Sequence, residues 1–198
     1  SEGIAVGMAT KIPPHNLSEV IAAAAHLIDK PKATAEDLME FIQGPDFPTG
    51  GIIYDRKAIV EAYISGRGGI TSRAEVAVED KKIVVSEIPY QVNKSELIVR
   101  MAELVQDKRI PGIRDIRDES DRKGMRIVFE LKRGAVAGVV MNQLFKMTQL
   151  QSSFGIIMLC LDNYVPKVLN LKEMLQHFIA HRKEVVVRRA AFDLRKAQ

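Results

Sequence analysis

The 198-residue chain has one cysteine, no long apolar run and, through its first 170 residues, no excess of charge of either sign. Each absence removes a class of protein. A single thiol, Cys160, cannot build a disulfide framework. It sits in the apolar run IIMLCL and reads as a buried thiol, which suits a reducing cytoplasm. No stretch approaches the roughly 20 apolar residues of a membrane span. Ser1-Glu2-Gly3 places no basic region ahead of an apolar one, so no secretory leader and no membrane partner are expected. The four histidines form no zinc pattern: His177 and His181 lie four apart, without a cysteine or a third histidine nearby, and read as exposed helix residues. No Ser-His-Asp set has a recognisable spacing. Gly66-Arg67-Gly68-Gly69 lacks the Lys-Ser/Thr that closes a P-loop, which leaves a flexible turn or a backbone cradle for phosphate. Asp118-Glu119-Ser120-Asp121 is hemmed in by Arg117, Arg122 and Lys123 and reads as a polar hairpin loop rather than a metal site. Internal repeats and low-complexity segments are missing as well.

What is present is ordinary in bulk and uneven in placement. Apolar residues make up 46% and charged residues 27%, enough for a sizeable core. From Leu171 onward seven basic residues face three acidic ones, which accounts for the whole net charge of +4. A basic helix of this kind either attracts nucleic acid or is simply well solvated. Three helices begin with the same N-x-x-E device, at Asn16, Asn93 and Asn170, in which the Asn accepts from a free first-turn amide and the Glu reaches back. Further helices are expected from Thr34 through Leu38, Met39 and Ile42, over 58–64 ending at Gly66, and over 135–147. Alternation predicts a strand over 70–79, turned at Asp80-Lys81 into a second strand over 82–88. It also predicts a strand over 125–132 paired with 113–119. Two hairpins with flanking helices give an α+β fold around a mostly antiparallel sheet. The expected division is 1–170 as one α+β domain and 171–198 as the start of a long coiled-coil helix.

In that last helix Leu171, Phe178, Val185 and Phe192 recur every seven residues, while Arg182 and Arg189 occupy the second seam position. No Gly, Asn or Pro stop signal follows, and the expectation is a piece of a longer protein. At the other end lies GIAVGMATKIPPHN. Ile12 precedes Pro13 and is pushed into extended backbone. Pro13 and Pro14 stiffen the next step. Asn16 then opens a helix whose N-terminus attracts anions. Flanked by Lys11 and His15, Ile12 is either a core plug or an apolar wedge of the kind that kinks duplex DNA.

Seven motifs in order, GIAVGMATKIPPHNL, GPDFPTGGII, GRGGITSRAEV, EIPYQVNKSELI, RDESDRKGMRIV, TQLQSSFGI and NLKEMLQHFIAHRKEVVVRRAAFDLRKA, span nearly the whole chain. Together they resemble the A subunits of bacterial type IIA DNA topoisomerases, DNA gyrase and its paralogue topoisomerase IV. EIPYQVNK and TQLQSSFGI lie nearer the gyrase branch. The resemblance implies a tower domain that supports bent double-stranded DNA, followed by the start of the coiled coil. It implies that Ile12 is the intercalating isoleucine, with Lys11, His15, Asn16, Arg67 and Arg73 as further DNA-binding residues. The parent enzyme would break, pass and rejoin duplex DNA in the bacterial cytoplasm, as a dimer of A subunits joined to the B subunit. Mg²⁺ and ATP would act through that B subunit, leaving this segment without a cofactor or metal of its own. None of Tyr54, Tyr63, Tyr90 and Tyr164 matches the family's nucleophilic tyrosine, so no catalytic residue is expected here. A different class of reading also stands: an assembly segment with little DNA affinity of its own.

Overall fold

The computed structural model describes residues 2–122 and 124–198, so Lys123 of the acidic loop lies outside the described residues. The chain runs β1 (Glu2–Ala5), β2 (Met8–Lys11), α1 (Leu17–Asp29), α2 (Ala35–Leu38), β3 (Ile52–Ile53), α3 (Arg56–Ser65), β4 (Arg67–Arg73), β5 (Glu75–Glu79) and β6 (Lys82–Glu87). It continues through α4 (Lys94–Gln106), β7 (Ile113–Asp118), β8 (Ile127–Leu131), α5 (Ala137–Met147), β9 (Gln151–Ile157), β10 (Leu159–Asp162), β11 (Val165–Val168) and α6 (Leu171–Ala197). Helices mix with antiparallel strand pairs throughout, an α+β fold. Among the described residues no helix is long and apolar enough to cross a membrane.

The elements gather into two compact units. One holds Ser1–Asp46, Arg56–Gly69 and Gly155–Gln198, the other Phe47–Asp55 and Ile70–Phe154. α6 lies in the first of these units.

The second unit is built on the sheet β5-β6-β8-β7. The alternation seen in sequence sets its register. Ile83 lies opposite Phe129 and Val85 opposite Ile127, all four fully buried. They meet Leu97, Met101 and Leu104 of α4 and Val140 and Leu144 of α5 in one core cluster. Each such side chain contributes about 1.5–3 kcal/mol on burial. Charged residues of the same sheet and its β7–β8 loop pair off in a row: Arg126 with Glu79 at 3.1 Å and Glu119 at 3.3 Å, Arg117 with Glu119 at 3.5 Å and Glu130 at 2.6 Å. Asp118 is held by Lys94 at 2.7 Å, and its carboxyl is pulled down to about 2 by hydrogen bonds from Lys94 and Ser120. The acidic loop is thus a web of ion pairs.

Sequence and structure part company at two places in these elements. The strand expected over 70–79 is broken at Ala74. Arg73 pairs with Ile52 of β3, Glu75 pairs with Glu87 of β6, and between them the buried Ala74 donates its N–H to the Leu150 carbonyl at 2.8 Å. The helix expected from Thr34 closes after one turn. Thr34 and Asp37 form a complete capping box, but after Leu38 the chain continues through turns at 39–41, and Leu38, Met39 and Ile42 are still buried.

The first unit packs α1 against α6 and α2, and α2 against α3. Its core includes Ala23, Leu27, Leu38, Ile42, Ile59, Ala62, Tyr63, Leu171 and Leu175. All three expected Asn caps are present; Asn170 forms the reciprocal box with Glu173, while Asn16 and Asn93 each accept two first-turn amides. Gly66 ends α3 in the left-handed region at φ 74°, where a Cβ would lie 2.5 Å from the Leu169 carbonyl. The β1–β2 hairpin pairs Glu2 with Lys11 and Ala5 with Met8, and β2 continues onto β9 through Lys11 and Ile157. A second hairpin, β10–β11, turns through Asn163 and Tyr164, both at positive φ. Only Leu171 and Leu175 of α6 are buried; Phe178 and Phe192 of the seven-residue repeat are exposed. Phe178, Ile179, Val186 and Val187, with Ala24 and Ile28 of α1, line an open apolar groove rimmed by Arg182 and Lys183.

Candidate nucleic-acid interface

Five of the six expected DNA-binding residues, Lys11, Ile12, His15, Asn16 and Arg67, lie in the first unit, and Arg73 lies in the second. The first four sit on one short, tightly fixed path. Lys11 ends β2, tied by its backbone to Ile157 and by its ammonium to Glu2 at 3.2 Å. Thr10, one residue earlier, donates its hydroxyl to the Ile157 carbonyl. Pro13 is buried, and the Pro14 carbonyl accepts from the Asp46 N–H at 2.9 Å. Asn16 accepts from the Ser18 and Glu19 amides and reaches Asp46 at 3.5 Å.

Ile12 does not stand on an exposed loop tip. It is half-buried, because it follows a paired strand directly and its neighbour Pro13 enters the core. The exposed apolar tip of this region is Val6, fully open to solvent at the β1–β2 turn, with Ile4 beside it. His15 is also turned inward. Its Nε2 lies 2.6 Å from the Tyr63 hydroxyl, and its ring hydrogen-bonds the Pro13 carbonyl. Burial lowers its pKa below the ordinary 6.5, so the ring is neutral at pH 7 and brings no cation to a phosphate. Asn16 spends its side-chain oxygen on the α1 cap. Glu19 in the first turn and Asp46 beside the cap offset the positive end of the helix dipole.

The two arginines differ in kind. Arg67 opens β4 exposed, with no described carboxylate within ion-pair distance. Arg73 is half-buried. Its Nε donates to Gln151 Oε1 at 2.5 Å, and its guanidinium carbon stands 4.7 Å from the centre of the Tyr54 ring and 5.2 Å from that of Phe145. No described carboxylate neutralises it either. A guanidinium held in place by two aromatic rings, with both terminal nitrogens unspent, is a preorganised donor for an anion. On α6, Arg188 and Arg189 are partnered along the helix with Glu184 and Asp193.

Sequence reasoning missed Tyr63 and the aromatic cradle of Arg73. EAYIS carries no mark of a hydrogen bond to a residue 48 positions away. Tyr54, Phe145 and Gln151 come together around Arg73 only through the fold. Among the described residues no group of three His, Cys, Asp or Glu side chains is placed to hold a metal ion. Tyr63, buried and with its hydroxyl pKa raised by desolvation and by Glu19, is in no position to act as a nucleophile.

The chain belongs to the DNA gyrase/topoisomerase IV A-subunit family, whose model matches residues 1–198. It is 57% identical over 202 aligned positions to the DNA gyrase A subunit of Clostridium acetobutylicum, covering all of this chain and 24% of that protein. To the DNA gyrase A subunits of Pseudomonas aeruginosa and Salmonella typhimurium it is 54% and 56% identical, covering all of this chain and 22% and 23% of theirs. The chain thus spans about a quarter of the length of the curated relatives it matches.

Proposed function

We propose that this chain is a DNA-holding and DNA-bending segment of the A subunit of a type IIA topoisomerase of the gyrase kind. The observation that carries the reading is the family match along every residue of the chain. Arg67 and Arg73, unneutralised among the described residues, supply phosphate contacts, and Ile12, on its braced turn, supplies the wedge. The longer protein would break one duplex, pass another through it and rejoin the ends in the bacterial cytoplasm. It would do so as a dimer of A subunits with the B subunit, through which Mg²⁺ and ATP act. Cleavage chemistry would come from outside this segment, since none of its four tyrosines matches the family's nucleophile.

Binding of the chain to a labelled duplex, followed by anisotropy from low to high salt, tests the proposal. Each neutralised phosphate adds about −0.9 to the slope of log K against log salt. A slope of about −2 or steeper is expected, lessened by about one unit in Arg73→Gln. A flat salt response, or no binding at low salt, would leave the segment as an assembly piece. The exposed apolar side chains of α6 are the feature that favours that second reading.

A further inference from the structure

We propose that Tyr63 is a positioning residue for Ile12: through His15, its hydroxyl holds the Ile12-Pro13-Pro14 turn in the shape that aims the isoleucine at duplex DNA. The proposal rests on the reading of Ile12 as the wedge. Tyr63 stands on α3, fully buried, with its hydroxyl 2.6 Å from His15 Nε2 and its ring 5.6 Å from the imidazole at 40°. With the imidazole proton on Nδ1, Nε2 accepts and the Tyr63 hydroxyl donates; with it on Nε2 the roles reverse and the same 2.6 Å link remains. Asp46 and Glu19 are the carboxylates that act on this pair from the neighbouring loop and α1.

Between the anchored His15 and Ile12 lie two prolines. Each has its φ locked near −65°, and Ile12 itself is confined by the proline that follows it. Few soft torsions remain, so the position of the imidazole is passed along a near-rigid strut. The Asp46 N–H on the Pro14 carbonyl braces the strut midway, and β2 holds its far end. A wedge that must part stacked bases needs such a support, because an unbraced side chain would be displaced by the bases instead.

The test uses the full-length A subunit in complex with its B subunit. The duplex carries 2-aminopurine at the insertion step and dyes at its ends. Ile12→Ala should abolish the 2-aminopurine signal and the bend. Tyr63→Phe should leave DNA affinity within about twofold while lowering the bent-to-straight ratio at saturation about three- to tenfold, the range of one lost hydrogen bond. His15→Ala should match it, and the double variant should be no worse than either single one, since both remove the same link. Ile59→Val, a core change on the same helix, serves as the stability control and should leave the bend intact. Full bending in Tyr63→Phe alongside its loss in Ile12→Ala would overturn the positioning role and spare the wedge. Full bending in Ile12→Ala would overturn the wedge and this proposal with it. An equal loss of bending in Ile59→Val would reduce Tyr63 to part of the core.

Discussion

Replacing Arg73 with lysine keeps the charge and removes the plane. The lysine ammonium cannot stack flat between Tyr54 and Phe145, and its point charge does not reproduce an Nε–H fixed on Gln151. The hydrogen bond is worth about 1 kcal/mol net. Each cation–ring contact adds about 0.5–1 kcal/mol at a partly exposed site. Lysine recovers some of the ring attraction, so the net loss should be about 1–2 kcal/mol. For a chain of this size that lowers the melting temperature by roughly 3–6 °C. Duplex affinity should fall several-fold, while the salt slope stays within about 0.3 of the parent, because the number of charges is unchanged. Circular dichroism melts and anisotropy titrations on the same preparation read both. A melting temperature within about 1 °C of the parent would show that the rings and Gln151 contribute nothing to holding Arg73, and would refute the preorganised-donor account.

Asn170→Ala removes the side-chain half of the capping box at the start of α6, leaving the residue 170 N–H on Glu173, and should cost about 1 kcal/mol, with faster amide exchange confined to the first turn. Beyond about Arg188 of α6 every side chain is exposed, so amide exchange there should be fast, with protection rising toward Leu175; uniform protection in a demonstrated monomer would contradict this. His15 has its folded-state pKa below 6.5, so the folded protein binds fewer protons than the unfolded chain just below that pH. Its stabilising contribution is therefore complete above about pH 6.5 and is lost as the pH falls toward the folded value. The urea midpoint should drop over that interval, and His15→Gln should flatten the drop.

The parts of the fold legible in the sequence were those written in short-range chemistry. The three Asn caps, the Gly66 stop, and the alternation of Ile83-Val85 and Ile127-Phe129 each depend on residues within a few positions. The hairpins β1–β2 and β10–β11 escaped. Tyr164 stands where a turn of positive φ usually has glycine, and Pro166 interrupts the returning strand. At the candidate interface the sequence announced a stiff proline turn but not how its side chains are disposed. That His15 faces inward and Ile12 is half-buried depends on Tyr63 and Ile157, remote partners that no local pattern announces. The same holds for Arg73, whose significance lies in three residues brought from positions 54, 145 and 151.

The exposed apolar side chains of α6 have a consequence for how the chain behaves in a tube. Phe178, Val186, Val187, Phe192 and Leu194 are open to water on a rod that also bristles with arginine and lysine. At low ionic strength those cations keep two rods apart by mutual repulsion. Added salt shortens the reach of that repulsion from about 30 Å at 0.01 M to about 3 Å at 1 M, and leaves the attraction between exposed apolar side chains untouched. If the arginines hold a duplex as proposed, the salt that releases it would therefore also make the freed molecules adhesive. Light scattering should climb over the same range in which the duplex is released, and replacing Phe178 and Phe192 with glutamine should hold it flat.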